Sequence, residues 1–128
     1  MAHEYGMQRI LLVLAGLFGA TAVAMAAAAA HGLAARLDAG ALQQVRNAVQ
    51  IHGWHALALF GIALWLPHGG IAARLAGVAV AAGTIAFCGG VYALAIGGMR
   101  LPMVAPAGGT VLILGWLLLA ASAITARG

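Results

Sequence analysis

Four apolar runs, each close to the length that crosses a bilayer, take up most of this 128-residue sequence. A spanning helix needs about 20 mostly apolar residues, and the runs fall at about 10–30, 48–66, 75–96 and 106–125. Arg9 and His31-Gly32 flank the first, and Pro67-His68-Gly69-Gly70 supplies a turn after the second. The third stops at Gly97-Gly98, and Pro106 takes a favoured first-turn position in the fourth. Short connections between such runs predict an all-α integral membrane protein, a four-transmembrane-helix up-down bundle with both termini on one side. The whole chain, 1–128, reads as one such domain, with a polar helical connection at 33–47.

Composition excludes the alternatives. Hydrophobic residues make up 65% of the chain, charged ones 6%, and mean hydropathy is +1.07. About a quarter of an ordinary soluble domain is charged, so eight charged side chains could not clothe a soluble globule of this size. The single cysteine, Cys88, rules out a disulfide scaffold. The net charge of +4 is no nucleic-acid signal, because the arginines stand singly beside the ends of the apolar runs, where they anchor helices. Nucleic acid is therefore not an expected partner; the lipid bilayer is.

The first run has a rival reading. Arg9, a leucine-rich stretch and Met25-Ala26-Ala27-Ala28 also resemble a signal peptide with a small-residue cleavage site. The run is long enough to span, and an uncleaved first helix is the preferred reading. In the connection, Asp38 could cap a helix opening at Ala39, which places Gln43, Asn47, Gln50 and Trp54 on one stripe. Sidedness is not decided by charge: Arg9, Arg74 and Arg127 on the terminal side oppose Arg36, Arg46 and Arg100 on the other.

Counting helical rise along the four runs gathers His31, His52, His55, Tyr92, Cys88 and Thr110 in the half of the bilayer away from the termini. Thr21, Thr84, Ser122 and Thr125 fall at mid-membrane or on the terminal side. Ionisable groups in hydrocarbon are costly and normally face the bundle interior. His52 and His55 are three residues apart, about 60° around the axis, so both can approach one groove that His31 could reach from helix one. With Gln50 and Tyr92 they form the candidate polar cluster. Three imidazoles could bind a metal, and two from different helices could ligate a haem. A proton or solute pathway is a further use, and a network of neutral histidines locking helices together is the plainest one. No cofactor or metal is therefore assigned.

No catalytic constellation is visible. The only carboxylates, Glu4 and Asp38, lie on opposite sides under this topology, which rules out a glycosidase-type pair. Cys88 reads as a buried structural thiol, and the glycine pairs lack the Lys-Ser/Thr of a phosphate loop. The chain is expected not to be an enzyme. Small residues at four-residue spacing (Gly16 and Ala20; Ala22, Ala26 and Ala30; Gly77 and Ala81) predict close helix contacts, chiefly within the bundle. Trp65 reads as an interfacial anchor, and Trp54 and Trp116 as packing or lipid-facing groups.

Several segments also resemble a known family. Ala28-Ala29-Ala30-His31-Gly32-Leu33 resembles the "GAHGL" end of helix one in the domain of unknown function 423 family. The stretch from Val49 to Leu59, with Gln50, His52 and His55, is similar to its "YQxxHALAL" segment. Phe87-Cys88-Gly89-Gly90-Val91-Tyr92 resembles "FSGSLY", and Pro106-Ala107-Gly108-Gly109 with Gly115-Trp116 resembles "TPxGG…GW". The matches run in order over nearly the whole chain. The resemblance implies a four-span bacterial inner-membrane protein, with relatives in eukaryotic mitochondria and no established activity.

Its motif positions here are His31, Gly32, Gln50, His55, Gly90, Tyr92, Pro106, Gly108, Gly109 and Trp116. His52 has no counterpart in the pattern, and Val49 replaces a usual tyrosine, which shifts attention to His31 and His55. Two functions remain open. One is an interaction or assembly component, packing against a membrane complex or a second copy. The other is small-solute, proton, metal or haem binding or transport by a His31/His55/Tyr92 cluster.

Overall fold

The computed structural model describes residues 2–126, with side chains from Tyr5 onward. Arg127 lies outside the described residues, as do the side chains of His3 and Glu4. Among the described residues the regular structure is all helix: α1 (Ala2–Ala30), α2 (Gly32–Arg36), α3 (Ala39–Gly97) and α4 (Val104–Thr125). Helices α1, α3 and α4 are each long and apolar enough to cross a membrane.

Helix α3 is long enough to do so twice. Its 59 residues would reach about 88 Å if straight, nearly three times a hydrocarbon core of about 30 Å. Gly70 breaks it with φ 61° and ψ −151°, backbone that only glycine adopts readily. The legs on either side, 39–69 and 71–97, fold back antiparallel. A Cβ at Gly77 would stand 3.5 Å from Ile62, and the Cys88 thiol reaches the Ala48 carbonyl at 3.5 Å. The turn expected at 67–70 is therefore sharper than its letters suggest. Helix continues through Pro67 and Gly69, and one residue makes the reversal.

The two legs form the centre of the bundle. The first leg buries Val45, Ala48, His52, His55, Leu59, Ile62 and Leu66, alternating three- and four-residue steps that keep one face inward. Ala73, Ala76 and Val80 of the second leg complete that core. Helix α1 lies along the seam between the legs on one side, with Leu11 close to Gly77. Helix α4 lies on the other side, and α1 and α4 scarcely touch.

Glycines set the α4 distance. A Cβ at Gly108 would stand 2.9 Å from the Ala86 carbonyl carbon, and one at Gly115 2.9 Å from Val80. Such backbone proximity is what small residues provide between membrane helices, where no hydrophobic force gathers them.

The small-residue stripes on α1 need correction. Leu11, Ala15, Ala22 and Ala29 are its buried positions, with Phe18 and Met25 half-buried between them. Gly16, Ala20, Ala26 and Ala30 are exposed. A strict four-residue step advances about 40° around the helix each time, so the expected stripe slides off the seam. The buried seam instead alternates four and three. Ala22, Gly77 and Ala81 are the members of the expected stripes that are buried.

At the far end, the Asp38 carboxylate caps α3 by accepting from the Ala41 backbone N–H at 2.8 Å. The α1 N-terminal half and the α4 C-terminal half both lie toward the Gly70 turn. The Gln8 amide donates to the Ala63 carbonyl, and Trp65 donates to Ser122. Both termini thus share one side, and α2, Asp38 and the 98–103 connection share the other.

Candidate functional site

Several of the intramembrane polar side chains form separate clamps between helices, whereas Thr84, Thr110 and Thr125 bond back to their own helix. Val45 of the first leg lies in one apolar layer with Ala29 and Ala95. Seven residues further along that leg, His52 meets Thr21, eight residues back along α1. Its Nε2 is 2.9 Å from the Thr21 hydroxyl and its Nδ1 3.0 Å from the Tyr92 hydroxyl. One imidazole therefore joins α1 and both legs. Phe18 packs edge-on against the ring.

Proton bookkeeping in this chain is balanced. The Thr21 hydroxyl lies 2.8 Å from the Leu17 carbonyl, which only accepts. A proton directed there leaves Thr21 to accept from His52 Nε2–H, and Nδ1 then accepts from Tyr92. The reverse tautomer donates from Nδ1 to Tyr92 and accepts from Thr21. Either way both ring nitrogens are engaged.

His55 has one arrangement only. Its Nδ1 lies 2.6 Å from the Ile51 carbonyl, so that nitrogen carries the proton and donates. Its Nε2 accepts from the Trp116 indole N–H at 3.0 Å, the only role open to Trp. The rings meet edge to face with centroids 5.8 Å apart. This clamp holds α4 to the first leg, and a third does the same at the opposite end. There Trp65 donates to Ser122 at 2.9 Å, and Ser122 donates to the Leu119 carbonyl.

The candidate cluster of five is thus divided. His52 and Tyr92 come together, and His55 faces the other seam. The 60° between the two histidines points one toward α1 and the other toward α4 rather than into one groove. His31 is exposed at the α1–α2 break, with no side-chain capping bond, and Gln50 is exposed on the outer face. Gln43, Asn47, Gln50 and Trp54 all lie on that outer face, where the Gln43 amide donates to Asn47. Among the described residues no three His, Cys, Asp or Glu side chains gather as a metal would need. The three-imidazole arrangement therefore does not form.

Among the motif positions, Gly90 and Gly108 are buried at close backbone approaches, whereas Gly109 meets Phe87 at an ordinary 3.6 Å. Gly32 is exposed with open space around it. Trp116 leaves nearly half its surface exposed on the outside of the bundle, while its indole N–H is committed to His55.

Sequence reasoning missed three partners: Thr21, Trp116 as a donor, and the Trp65–Ser122 pair. Thr21 was legible in part, since it is the lone hydroxyl in α1's apolar run. His52 lies deeper than the expected span 48–66 implies, because the first leg already packs at Val45, level with Ala29, which sinks His52 along α1 to Thr21.

Comparison with known proteins places the chain. A family model described as "Protein of unknown function (DUF423)" matches residues 25–109. The "UPF0382 membrane protein" of Haemophilus influenzae is 34% identical over 115 residues, 89% of this chain and 93% of that protein. The "UPF0382 inner membrane protein YgdD" of Escherichia coli K12 is 31% identical, covering 91% of this chain and 90% of that one. The "UPF0382 membrane protein YwdK" of Bacillus subtilis is 30% identical over 91% and 97%. No solved structure matches the chain. With apolar helices that cross the bilayer and relatives of this kind, the chain is a multi-pass bacterial inner-membrane protein and belongs to the DUF423 family.

Proposed function

We propose that this protein is a non-enzymatic assembly component of the inner membrane, engaging a helix of a larger complex or of a second copy through the outward face of α1. The observation that carries this reading is the placement of Gly16, Ala20 and Ala24 on the exposed side of α1. No atom outside its own turn lies within 4 Å of where a Cβ at Gly16 would stand. Small residues one turn apart let a second backbone approach closely, which is how helices associate in lipid. The clamps support the same reading: with the polar groups occupied inside, the bundle is a self-contained body whose outer face is left for partners.

The test is purification of the full chain in mild detergent, after crosslinking in native membranes, beside Gly16→Ile and Ala20→Ile. A partner band or defined oligomer present in the parent and lost in both variants, with helix content unchanged, is the expected result. A clean monomer in the parent, or assembly that survives both substitutions, overturns the reading.

A further inference from the structure

We infer that the seam between the first leg and α4 is a binding site for one anionic phospholipid, its phosphate at Arg100 and an acyl chain in the groove below. Two openings follow one another along this seam. The deeper is an open groove of about 430 Å³ bordered by Ile51, Trp54, Phe87, Ile113 and Trp116. The shallower, about 290 Å³, is bordered by Gln44, Gly90, Arg100 and Pro106.

Helix register puts them in line. Gln44 to Ile51 is seven residues, two turns on one face of the first leg. Gly90 to Phe87 and Pro106 to Gly109 are three residues each, about one turn. All three steps run from the connection end into the membrane.

The chemistry of the two openings differs in the way an anionic lipid does. No charged side chain borders the deeper groove, and the one ionisable group there, His55, has both ring nitrogens engaged. It takes hydrocarbon. At the shallower opening the Arg100 guanidinium has no hydrogen-bond or ion-pair partner among the described residues. Its planar donor fork suits phosphate oxygens, and the Gln44 amide adds a donor. No carboxylate borders this pocket to receive the ammonium of a zwitterionic headgroup, and Asp38 is occupied in capping α3. The charge balance therefore favours a headgroup that is negative overall. This inference uses a different face from the α1 contact proposed above and stands apart from it.

The experiment reconstitutes the full chain in phosphatidylcholine vesicles containing a minor fraction of lipid with brominated acyl chains, either phosphatidylglycerol or phosphatidylcholine. Bromine quenches tryptophan on contact, and Trp54 and Trp116 border the groove while Trp65 at the far end gives a constant background. One basic side chain at the surface corresponds to about five-fold enrichment of anionic lipid, so brominated phosphatidylglycerol should quench clearly more than brominated phosphatidylcholine. Arg100→Gln should remove the excess, and Arg36→Gln, exposed at the same end but off the seam, should keep it. Inorganic phosphate at matched ionic strength should leave it unchanged. Equal quenching by both lipids, as when a second copy covers the groove, overturns the inference. So does an excess that survives Arg100→Gln, one lost equally in Arg36→Gln, or one abolished by inorganic phosphate, which would mark a soluble-anion pocket.

Discussion

The Trp116 indole donates to His55 Nε2 at 3.0 Å while His55 Nδ1 donates to the Ile51 carbonyl one turn above it on the same helix. The backbone bond fixes the tautomer, and the tautomer leaves Nε2 as the acceptor that takes the Trp116 proton. Removing either partner leaves a polar group facing hydrocarbon. Interhelical hydrogen bonds in membranes average about 0.6 kcal/mol, reaching about 1.7. In a double-mutant cycle with His55→Phe and Trp116→Phe, unfolding in detergent should return a coupling energy in that range. A value near zero would mean that the ring packing, not the bond, holds α4.

The same geometry predicts a spectroscopic signature. Nitrogen NMR of the labelled histidines should show His55 Nδ1 protonated and Nε2 unprotonated. Trp116→Phe should shift the Nε2 resonance and leave the tautomer in place, because the Ile51 carbonyl still dictates it. His52, flanked by two hydroxyls, has no such lock, and Tyr92→Phe should move its proton population. A His55 population protonated at Nε2 contradicts the assignment.

Adjacent glycines in the fourth run should behave differently. A methyl at Gly108 would run into the backbone at Ala86 and Phe87, whereas one at Gly109 meets the Phe87 ring at 3.6 Å. Gly108→Ala should therefore destabilise the bundle by roughly 1–3 kcal/mol, the usual cost of overpacking. Gly109→Ala should be close to neutral. Thermal unfolding followed by circular dichroism distinguishes them, and equal effects would place α4 further from the second leg.

What the letters convey follows from what sets each feature. Hydrophobic length reports how many times the chain can cross the membrane, because the bilayer imposes it on each run separately. The Asp38 cap is legible as well, from the residue type and its position, because it is a contact within one turn. Seam positions are set between helices and are less legible in any one run. The four-residue stripe through Gly16 and Ala20 looked like a contact, yet the seam runs through Ala15 and Ala22 because the α3 legs select a heptad-like spacing. The depth of the histidines is legible in outline, their pairing is not. Whether His55 turns toward α1 or α4 depends on which side of the α3 hairpin each outer helix occupies, and no periodicity within one run contains that.

The Gly70 reversal carries the topology, and its consequence can be measured. If α3 crossed once, the chain would span three times and its termini would lie on opposite sides. With the break at φ 61°, it spans four times. Reporter fusions at the two ends should then agree with each other, and an insertion in the 98–103 connection should report the opposite compartment. The hinge itself should be sensitive: Gly70→Ala puts a side chain into backbone that L residues avoid, at about 1–3 kcal/mol. That variant should lose thermal stability without changing the reporter pattern, since the length of the apolar runs still demands two crossings. Opposite signals from the two ends would remove the hairpin, and with it the pairing of His52 with Tyr92.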